Sequence, residues 1–271
     1  MHKFIPYIII ACFFIFFTFP AATVYGSSKY IKVRAYGYIS KPGVYVLKKG
    51  ARLSNLLFKI WPPERGAYLK NAFLYRKTLK KDNKVELRGI IREILRIRGL
   101  SRKLKNKIKN QVVGIKPIGR IVVHLKNPIL LMNTKLDTRL KNGDKLFIPK
   151  KSLYDYVYVK GAVKNQGKFK YRTGKSTGYY IDKADGVANN SVSGYYYLIK
   201  ANGSIKKVDT ATRFIIWNKV KKRWEFALFK KSEKVEPDDI IFFPFNYGRI
   251  TDKLTRLILA VYKRTGILLN Y

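Results

Sequence analysis

The stretch that decides the fold is GYISKPGVYVLKKG at residues 37–50, because the chain repeats its pattern as GAVKNQGKFKYRTG at residues 161–174. The glycines of the two stretches are spaced identically, 124 positions apart: Gly37, Gly43 and Gly50 recur as Gly161, Gly167 and Gly174. Self-similarity at a fixed offset is the sequence signature of a repeated structural unit. We therefore expect these residues to be turn glycines in two copies of one small domain.

A second repeated pattern closes each copy. The sequence LKNGDKLFIP occupies residues 140–149, and VEPDDIIFFP occupies residues 235–244. Each carries an aspartate five residues before its final proline, Asp144 or Asp239, and the apolar run in between predicts a strand. Both aspartates lie at predicted turns, where side-chain acceptors satisfy backbone donors.

Each predicted domain combines strands with helices. In the first domain, residues 31–151, alternating apolar and polar residues around Lys41-Pro42-Gly43 predict a hairpin, and LSNLLFKIW predicts a short helix. In the second domain, residues 156–246, YVYVKGAV predicts a strand and YYIDKADGVANN predicts a helix that ends at Gly186. The segment FIIWNKVKKRWEFALF is strand-like. The expected fold class is therefore α+β.

Positive charge dominates the composition. Of the 271 residues, 57 are Lys or Arg and 16 are Asp or Glu, which gives a formal net charge of +41. This excess is larger than solubility requires, and it predicts an anionic partner or surface. Nucleic acid, acidic glycan and anionic lipid all meet this criterion.

The first 26 residues predict export. A short cationic start is followed by the apolar run FIPYIIIACFFIFF and then by small residues up to Gly26, which is the pattern of a secretory signal peptide. An uncleaved membrane anchor is the alternative. Both predict that the rest of the chain lies in the periplasm or cell envelope. Cleavage would remove Cys12 and leave no cysteine for disulfide or thiol chemistry.

The most cationic segment is a predicted helical insert at residues 86–112, broken at Gly99-Leu100-Ser101. Its apolar residues recur at helical spacing. Nine Arg or Lys lie from Arg88 to Lys109 against the single acid Glu93, so most of these cations lack an acidic partner three or four residues away. The insert is either a solvated helical face or an anion-binding surface. In the second case, the polyanion-binding residues are Arg96, Arg98, Arg102, Lys103 and Lys105.

A C-terminal amphipathic helix is predicted at residues 250–269, with Thr251 as its cap. One face of this helix is apolar and is its predicted association face: Leu254, Leu257, Ile258 and Val261. Charged residues interrupt the apolar content. We therefore expect packing on the protein itself, on a partner or on a membrane surface, rather than a membrane span.

The sequence shows no constellation of catalytic residues. His124 is the single histidine outside the predicted signal, so metal sites built from His and Cys are excluded by count. The pairs Asp182 with Asp185 and Asp238 with Asp239 fit turns and helix ends better than acid–base chemistry. The segment TGKST imitates the end of a P-loop, but its first glycine is missing. We expect no enzymatic activity, no metal and no cofactor.

Tyrosines are more informative about a ligand. The chain has 20 of them, with clusters at residues 154, 156 and 158 and at residues 195–197. Alternate strand residues face opposite sides, so one face packs and the other can present rings and hydroxyls. Tyrosine beside Lys or Arg suits the ring faces and acidic groups of sugars. The alternative is that these tyrosines are half-buried strand residues.

Taken in order, these motifs resemble SLBB domains, the soluble-ligand-binding β-grasp modules of bacterial polysaccharide biosynthesis and export proteins. The matching signals are a valine-rich strand, Pro42-Gly43 or Gln166-Gly167, an aromatic residue (Tyr45 or Phe169), and the closing turn, strand and proline. The resemblance covers about residues 31–269. It implies two β-grasp domains, the first with the basic helical insert. The separate polysaccharide-export domain of portal-forming members has no counterpart before the first predicted strand.

The resemblance also implies a function. We expect an exported, non-enzymatic protein of capsule or exopolysaccharide export or assembly, which binds acidic polysaccharide or the polysaccharide-export machinery. We also expect a homo-oligomer. In portal-forming members a helix of this kind spans the outer membrane, whereas the one-sided apolar stripe of the C-terminal helix favours peripheral membrane contact. The charge supports a different function, that of an exported polyanion-binding protein that handles DNA at the cell surface.

Overall fold

The computed structural model describes residues 29–112, 114–151, 155–218, 223–230, 232–269 and 271, and we describe only the backbone at 211–218 and 223–230. The predicted signal at residues 1–26 and Tyr154 lie outside the described residues. Within those ranges the chain forms two five-stranded mixed sheets and six α-helices. The predicted α+β class is confirmed.

The first sheet is built from residues that precede position 149. Its strands are β1 (Tyr30–Gly37), β2 (Gly43–Lys48), β3 (Phe73–Tyr75), β4 (Arg120–Val122) and β5 (Lys145–Ile148). They lie in the order β2-β1-β5-β3-β4. Strands β1 and β5 are parallel, and every other neighbouring pair is antiparallel.

The second sheet has the same strand order and the same strand directions. The remaining strands are β6 (Tyr156–Gly161), β7 (Gly167–Lys170), β8 (Tyr195–Ile199), β9 (Ile205–Asp209), β10 (Ala211–Asn218), β11 (Arg223–Lys230) and β12 (Ile240–Phe243). The sheet order is β7-β6-β12-β8-β9, with β6 and β12 parallel. No described sheet contains strands from both sides of residue 152.

Strands β10 and β11 form a separate antiparallel hairpin. The strand-like pattern over this segment agrees with its structure, although the sequence did not indicate a division into two strands. Residues 219–222 read KVKK, without a glycine or proline that would have indicated a turn.

The repeated glycines occupy matching places in the two sheets. Gly37 pairs with Ile148, and Gly161 pairs with Phe243, each at the end of the parallel pair. Both have positive φ, 97° and 89°. A side chain at either position would overlap the carbonyl oxygen of its partner, so the close approach of the strands requires glycine. Gly50 and Gly174 also have positive φ, whereas Gly43 and Gly167 begin strands.

Six helices accompany the sheets: α1 (Leu53–Ile60), α2 (Lys77–Arg96), α3 (Arg102–Val112), α4 (Pro128–Leu131), α5 (Thr177–Lys183) and α6 (Thr251–Thr265). The inner face of the first sheet packs on α1, where Val33 and Leu74 join Leu56 in one buried cluster. The inner face of the second sheet packs on α5, where Val159 joins Tyr180. Each fully buried apolar side chain of this size contributes about 2 kcal/mol.

The outer face of the second sheet is covered by helices. Ile199 and Phe242 of this sheet pack with Leu254 and Ile258 of α6, and Ile94 of α2 belongs to the same cluster.

The two copies also contact each other directly. The hydroxyl of Tyr68 donates to the carbonyl of Pro237 at 2.8 Å, and Arg120 Nη2 donates to the carbonyl of Ala201 at 2.6 Å.

The helical insert differs from the prediction at its start. Helix α2 begins at Lys77 rather than at residue 86. The break lies where expected, with Gly99 at φ 84° between α2 and α3. The insert is not a free hairpin, because its apolar face packs against α6 and leaves its cations on the outside.

The C-terminal helix ends at Thr265, where the prediction placed its end at residue 269. Its N-cap residue is Ile250 rather than Thr251, because the Thr251 hydroxyl accepts a hydrogen bond from the preceding Tyr247 amide at 2.7 Å instead. The predicted association face lies inside the molecule: Leu254, Leu257, Ile258 and Val261 are all buried. Among the helices described, none has the length and apolar content needed to cross a membrane.

Candidate anion-binding groove

Helix α2 carries a stripe of cations on one side. Residues three, four and seven positions apart lie on one helix face, and that spacing connects the members of the stripe: Lys77, Lys80, Lys81, Lys84 and Arg88. All five are exposed. Helix α2 has three acids outside this stripe: Glu86 pairs with Arg264 at 2.6 Å, Glu93 pairs with Lys253 at 3.3 Å, and Asp82 is exposed. Helix α6 thus pairs with two of the three acids of α2 and leaves the cationic stripe open.

Two clefts flank this stripe. The first has a volume of about 660 Å³ and includes Tyr36, Tyr75 and Lys145 in its lining. The second has a volume of about 500 Å³, and its floor is apolar, including Leu87 and Ile91. The two clefts share four lining residues: Lys77, Lys80, Lys116 and Pro117. We call them the tyrosine cleft and the apolar cleft, and together the cationic groove.

The tyrosine cleft lies against the outer face of the first sheet. In the register of the strands Tyr36 lies opposite Phe147, which lies opposite Phe73, and Tyr75 lies opposite Lys145. Ring centroids are 5.0 Å apart for Tyr36 and Phe147 and 5.2 Å apart for Phe73 and Phe147. The aromatic row therefore fixes the tyrosines beside the lysine. Burial raises the pKa of both tyrosine hydroxyls, so they stay protonated as hydrogen-bond donors.

A buried ion pair holds the start of α2 at the groove. Arg76 lies between β3 and α2 and donates Nε and Nη2 to the carboxylate of Asp144 at 2.9 and 2.7 Å. Because this bidentate pair neutralises Arg76, the free charge comes from the other cations. Lys77, Lys80, Lys84, Lys116 and Lys145 have no ion-pair partner in the described part of the chain, and no described acid lines either cleft.

The ion pair is itself repeated. Asp239 accepts from Lys200 Nζ at 2.7 Å, and Lys200 follows β8 as Arg76 follows β3. Asp144 also accepts from the Lys141 amide, and Asp239 from the Glu236 amide, each at 2.8 Å. These backbone contacts agree with the predicted turn role of the aspartates. Burial raises the pKa of Asp239, although the hydrogen bond from Lys200 opposes this shift.

The polyanion-binding residues predicted from the sequence lie away from the groove. Arg96, Arg98, Arg102, Lys103 and Lys105 surround the turn between α2 and α3 and line neither cleft. Their side chains have no ion-pair partner among the described residues, and all except Lys105 are exposed. They form a second cationic surface, which we call the insert tip.

The histidine and two of the aspartates that the sequence analysis considered for chemistry lie outside the cationic groove. His124 is exposed after β4 and, with Lys70, Lys200 and Glu236, lines a cleft of about 360 Å³ between the two copies. Asp182 is exposed, and Asp185 contacts the Asn165 amide at a turn.

The predicted tyrosine cluster at residues 195–197 makes contacts within the protein. Tyr196 is buried and bonds Thr177 through its hydroxyl at 2.7 Å. Tyr195 donates its hydroxyl to Asp252 of α6 at 2.6 Å. The tyrosines of the groove, Tyr36 and Tyr75, belong to neither cluster.

Sequence reasoning missed the groove for a spatial reason. Tyr36, Tyr75 and Lys145 come from three strands that are distant in the chain, and only the sheet order brings them together. The lysine stripe did carry a signal, because KTLKKDNK at residues 77–84 has helical cation spacing. That stretch lies before the predicted start of the insert.

The fold and the groove define an α+β protein with a duplicated sheet and a cationic groove. No protein-family model matches this chain, and no curated protein matches it. The resemblance to SLBB domains therefore stays a prediction that rests on the order of the motifs.

Proposed function

We propose that this protein is a non-enzymatic binding protein for an acidic polysaccharide, which acts in the export or assembly of capsule or exopolysaccharide. The observation that carries the proposal is the cationic groove, where unpaired lysines lie beside Tyr36 and Tyr75 and no described acid contributes to the lining. A groove rather than a closed pocket suits a chain-like ligand.

The chemistry of the groove matches such a ligand on two counts. Aromatic rings pack on the apolar faces of sugar rings, and a tyrosine hydroxyl adds a hydrogen bond. Ammonium groups form charge-assisted hydrogen bonds with uronate or phosphate groups. A neutral glycan would leave the lysines without partners, and a polyanion without sugar faces would leave the tyrosines unused.

The proposal includes the β-grasp assignment. It is supported by two sheets of identical strand order, each with a helix on its inner face, α1 in the first and α5 in the second. It is also supported by the matching glycines, Gly37 and Gly161, and by the matching ion pairs. Export to the periplasm or cell envelope belongs to the proposal and rests on residues 1–26 of the sequence.

The test compares two variants with the same loss of charge. The groove variant replaces Lys77, Lys80, Lys84, Lys116 and Lys145 with Gln, and the tip variant replaces Arg96, Arg98, Arg102, Lys103 and Lys105 with Gln. Binding of a polyuronate is measured against salt concentration, with a neutral glucan as control. We expect the groove variant to lose affinity and to show a flatter salt dependence, because fewer counterions are released. Equal losses in the two variants would contradict the proposal.

Double-stranded DNA serves as the competing ligand for the alternative function. An acidic-glycan protein should prefer the polyuronate to DNA when both are compared at equal charge concentration. If the ligands rank by charge density alone, the protein is a general polyanion binder, and DNA handling becomes the better explanation of its net charge.

A further inference from the structure

We propose that the apolar cleft binds the hydrocarbon chain of a single-chain lipid phosphate, with the phosphate at the lysines shared by the two clefts. The inference extends the proposed function, since a glycan in the tyrosine cleft would then be carried on a lipid. Its evidence is separate, because it comes from the floor of the neighbouring cleft.

The floor of the apolar cleft is formed by α2, the last residue of α3 and the segment that follows α3. It consists of side chains without polar groups: Leu87, Ile91, Val112, Ile115 and Pro117. Three of these are buried, whereas Ile91 and Ile115 are half-exposed. A sugar or nucleic acid gains little from such a floor, because it offers neither an aromatic ring for stacking nor a hydrogen-bonding side chain. A hydrocarbon chain binds there favourably, because about 0.8 kcal/mol is gained for each CH₂ group removed from water.

The rim of the same cleft is entirely cationic among the described residues. It is formed by Lys77, Lys80, Lys81, Lys84, Arg88 and Lys116. Charge complementarity therefore selects an anionic head group and rejects a cationic or neutral amphiphile. Lysine binds phosphate as a compact point charge, and three such charges, Lys77, Lys80 and Lys116, lie where the two clefts join.

The size of the cleft limits the occupant to one chain. A volume of about 500 Å³ lies within the range of about 300 to 1,000 Å³ that is typical of sites for small ligands. A flat membrane surface would not enter such a cleft. The structure therefore assigns one continuous ligand to the groove: a hydrocarbon chain, a phosphate at the junction, and a sugar beside the tyrosines.

The experiment uses the full-length protein and a series of alkyl phosphates of increasing chain length, each below its critical micelle concentration. Inorganic phosphate and an alkyltrimethylammonium ion are the controls. We expect affinity to rise about fourfold for each added CH₂ group until the chain fills the cleft. The cationic amphiphile should not bind in the cleft.

Two variants locate the site. Ile91→Trp fills the cleft without removing apolar surface, and it should abolish the dependence on chain length while acidic polysaccharide still binds. Lys80→Gln with Lys84→Gln should weaken binding of every alkyl phosphate by about tenfold, through loss of the contact between Lys80 and the phosphate. Lys84 lies on the rim of the apolar cleft and contributes its charge. The matched control, Lys103→Gln with Lys107→Gln on α3, removes the same charge at the same spacing and should have no effect. Thermal unfolding monitors whether each variant is folded.

Three results would overturn the inference. The first is an affinity that does not depend on chain length. The second is the same dependence in wild-type protein and Ile91→Trp, which would place the chain elsewhere, including on the apolar N-terminal residues. The third is binding to vesicles of anionic lipid without binding to monomeric alkyl phosphates. If the wild-type protein bound alkyl phosphates but did not bind acidic polysaccharide, the proposed function would be contradicted and this inference would stay intact.

Discussion

The two sheets share their strand order, but their outer faces differ. In the second sheet, Ile199 and Ile240 lie opposite each other and pack in the cluster formed with α6. The matching positions of the first sheet are Tyr75 and Lys145, which line the open tyrosine cleft. One copy uses this face for folding and the other leaves it to solvent.

The comparison shows why the groove is a candidate site. A sheet with two apolar faces needs cover on both sides, and α6 supplies it for the second sheet. The outer face of the first sheet instead has half-buried aromatic residues and lysine, so it can stay uncovered without a large apolar patch. The outer face of the first sheet is therefore not needed to bury apolar residues, and its polar side chains are available for binding.

The glycines at the parallel strands test whether the two copies unfold together, and they have the largest expected effect. Gly161→Ala and Gly37→Ala should each destabilise the protein by about 4 kcal/mol, because a methyl group there overlaps a carbonyl oxygen at positive φ. Urea unfolding measures both. Gly43→Ala is the control, since an added methyl group meets nothing within 4 Å. Two separate transitions, each shifted by one variant only, would show that the sheets fold independently.

The repeated ion pairs should differ in strength. Arg76→Met should cost about 3 kcal/mol, because Asp144 would be left buried and charged. Lys200→Met should cost less, since Lys200 is 30% exposed, whereas Arg76 is 16% exposed and donates two hydrogen bonds to Asp144. Chemical denaturation compares the two variants with Arg102→Met, an exposed cation that should have almost no effect. A larger loss for Lys200→Met than for Arg76→Met would contradict this ranking.

Exchanging residues between the outer faces sharpens the comparison. Tyr75→Ile with Lys145→Ile gives the first sheet the residues of the second. Stability should change by about 0.5 kcal/mol or less, because the site is open to solvent. Affinity for acidic polysaccharide should fall by about tenfold through the loss of one charge-assisted contact. A binding titration and a melting curve on the same sample measure both effects.

The reverse exchange, Ile199→Tyr with Ile240→Lys, is the control. It should destabilise the protein without creating a binding site, since Ile199 is fully buried in the cluster with α6. If the forward exchange destabilised the protein as much as the reverse one, the outer face of the first sheet would be a structural face, and its role as a binding site would be lost.

Local patterns in the sequence predicted the parts of the fold that depend on neighbouring residues. The recurring glycines mark equivalent positions in two equal sheets, and the break at Gly99 lies where predicted. The division of the strand-like segment into β10 and β11 was not predicted, because residues 219–222 contain no turn residue. The start of α2 was missed because its first turns are lysine-rich rather than apolar, so hydrophobic periodicity gives no signal there.

The binding groove could not be predicted because periodicity identifies the two faces of a strand but not which face is covered. Tyr75 and Ile199 occupy matching places, yet only the structure shows that α6 packs over one sheet and not the other. The ion pair of Arg76 and Asp144 could not be predicted either, because it also depends on the spatial arrangement of distant segments. The aspartate was recognised at its turn, whereas its partner lies 68 residues away in the sequence.

The contact between the copies gives the smallest expected effect, a dependence of stability on pH. Burial raises the pKa of Glu236, but the hydrogen bond from Lys70 and the nearby lysines outweigh burial, so the net pKa is lowered. A carboxyl group whose pKa is lowered in the folded protein stabilises it at pH values above the pKa of the unfolded chain. This stability is lost as the pH falls through the pKa of the folded protein. Asp239 acts in the opposite direction, because burial raises its pKa and its contribution is lost as the pH rises. Since Lys70 is 65% exposed, we expect the Glu236 contribution to be about 1 kcal/mol or less.

The measurement is the unfolding free energy at pH 3 to 7 for wild-type protein and Glu236→Gln, and the difference between them gives the contribution of Glu236. Lys70→Gln should remove most of the same pH-dependent difference. If Glu236→Gln changed stability equally at every pH, the carboxylate would not contribute through its charge, and the contact between the two copies would depend on Tyr68 and Arg120 instead.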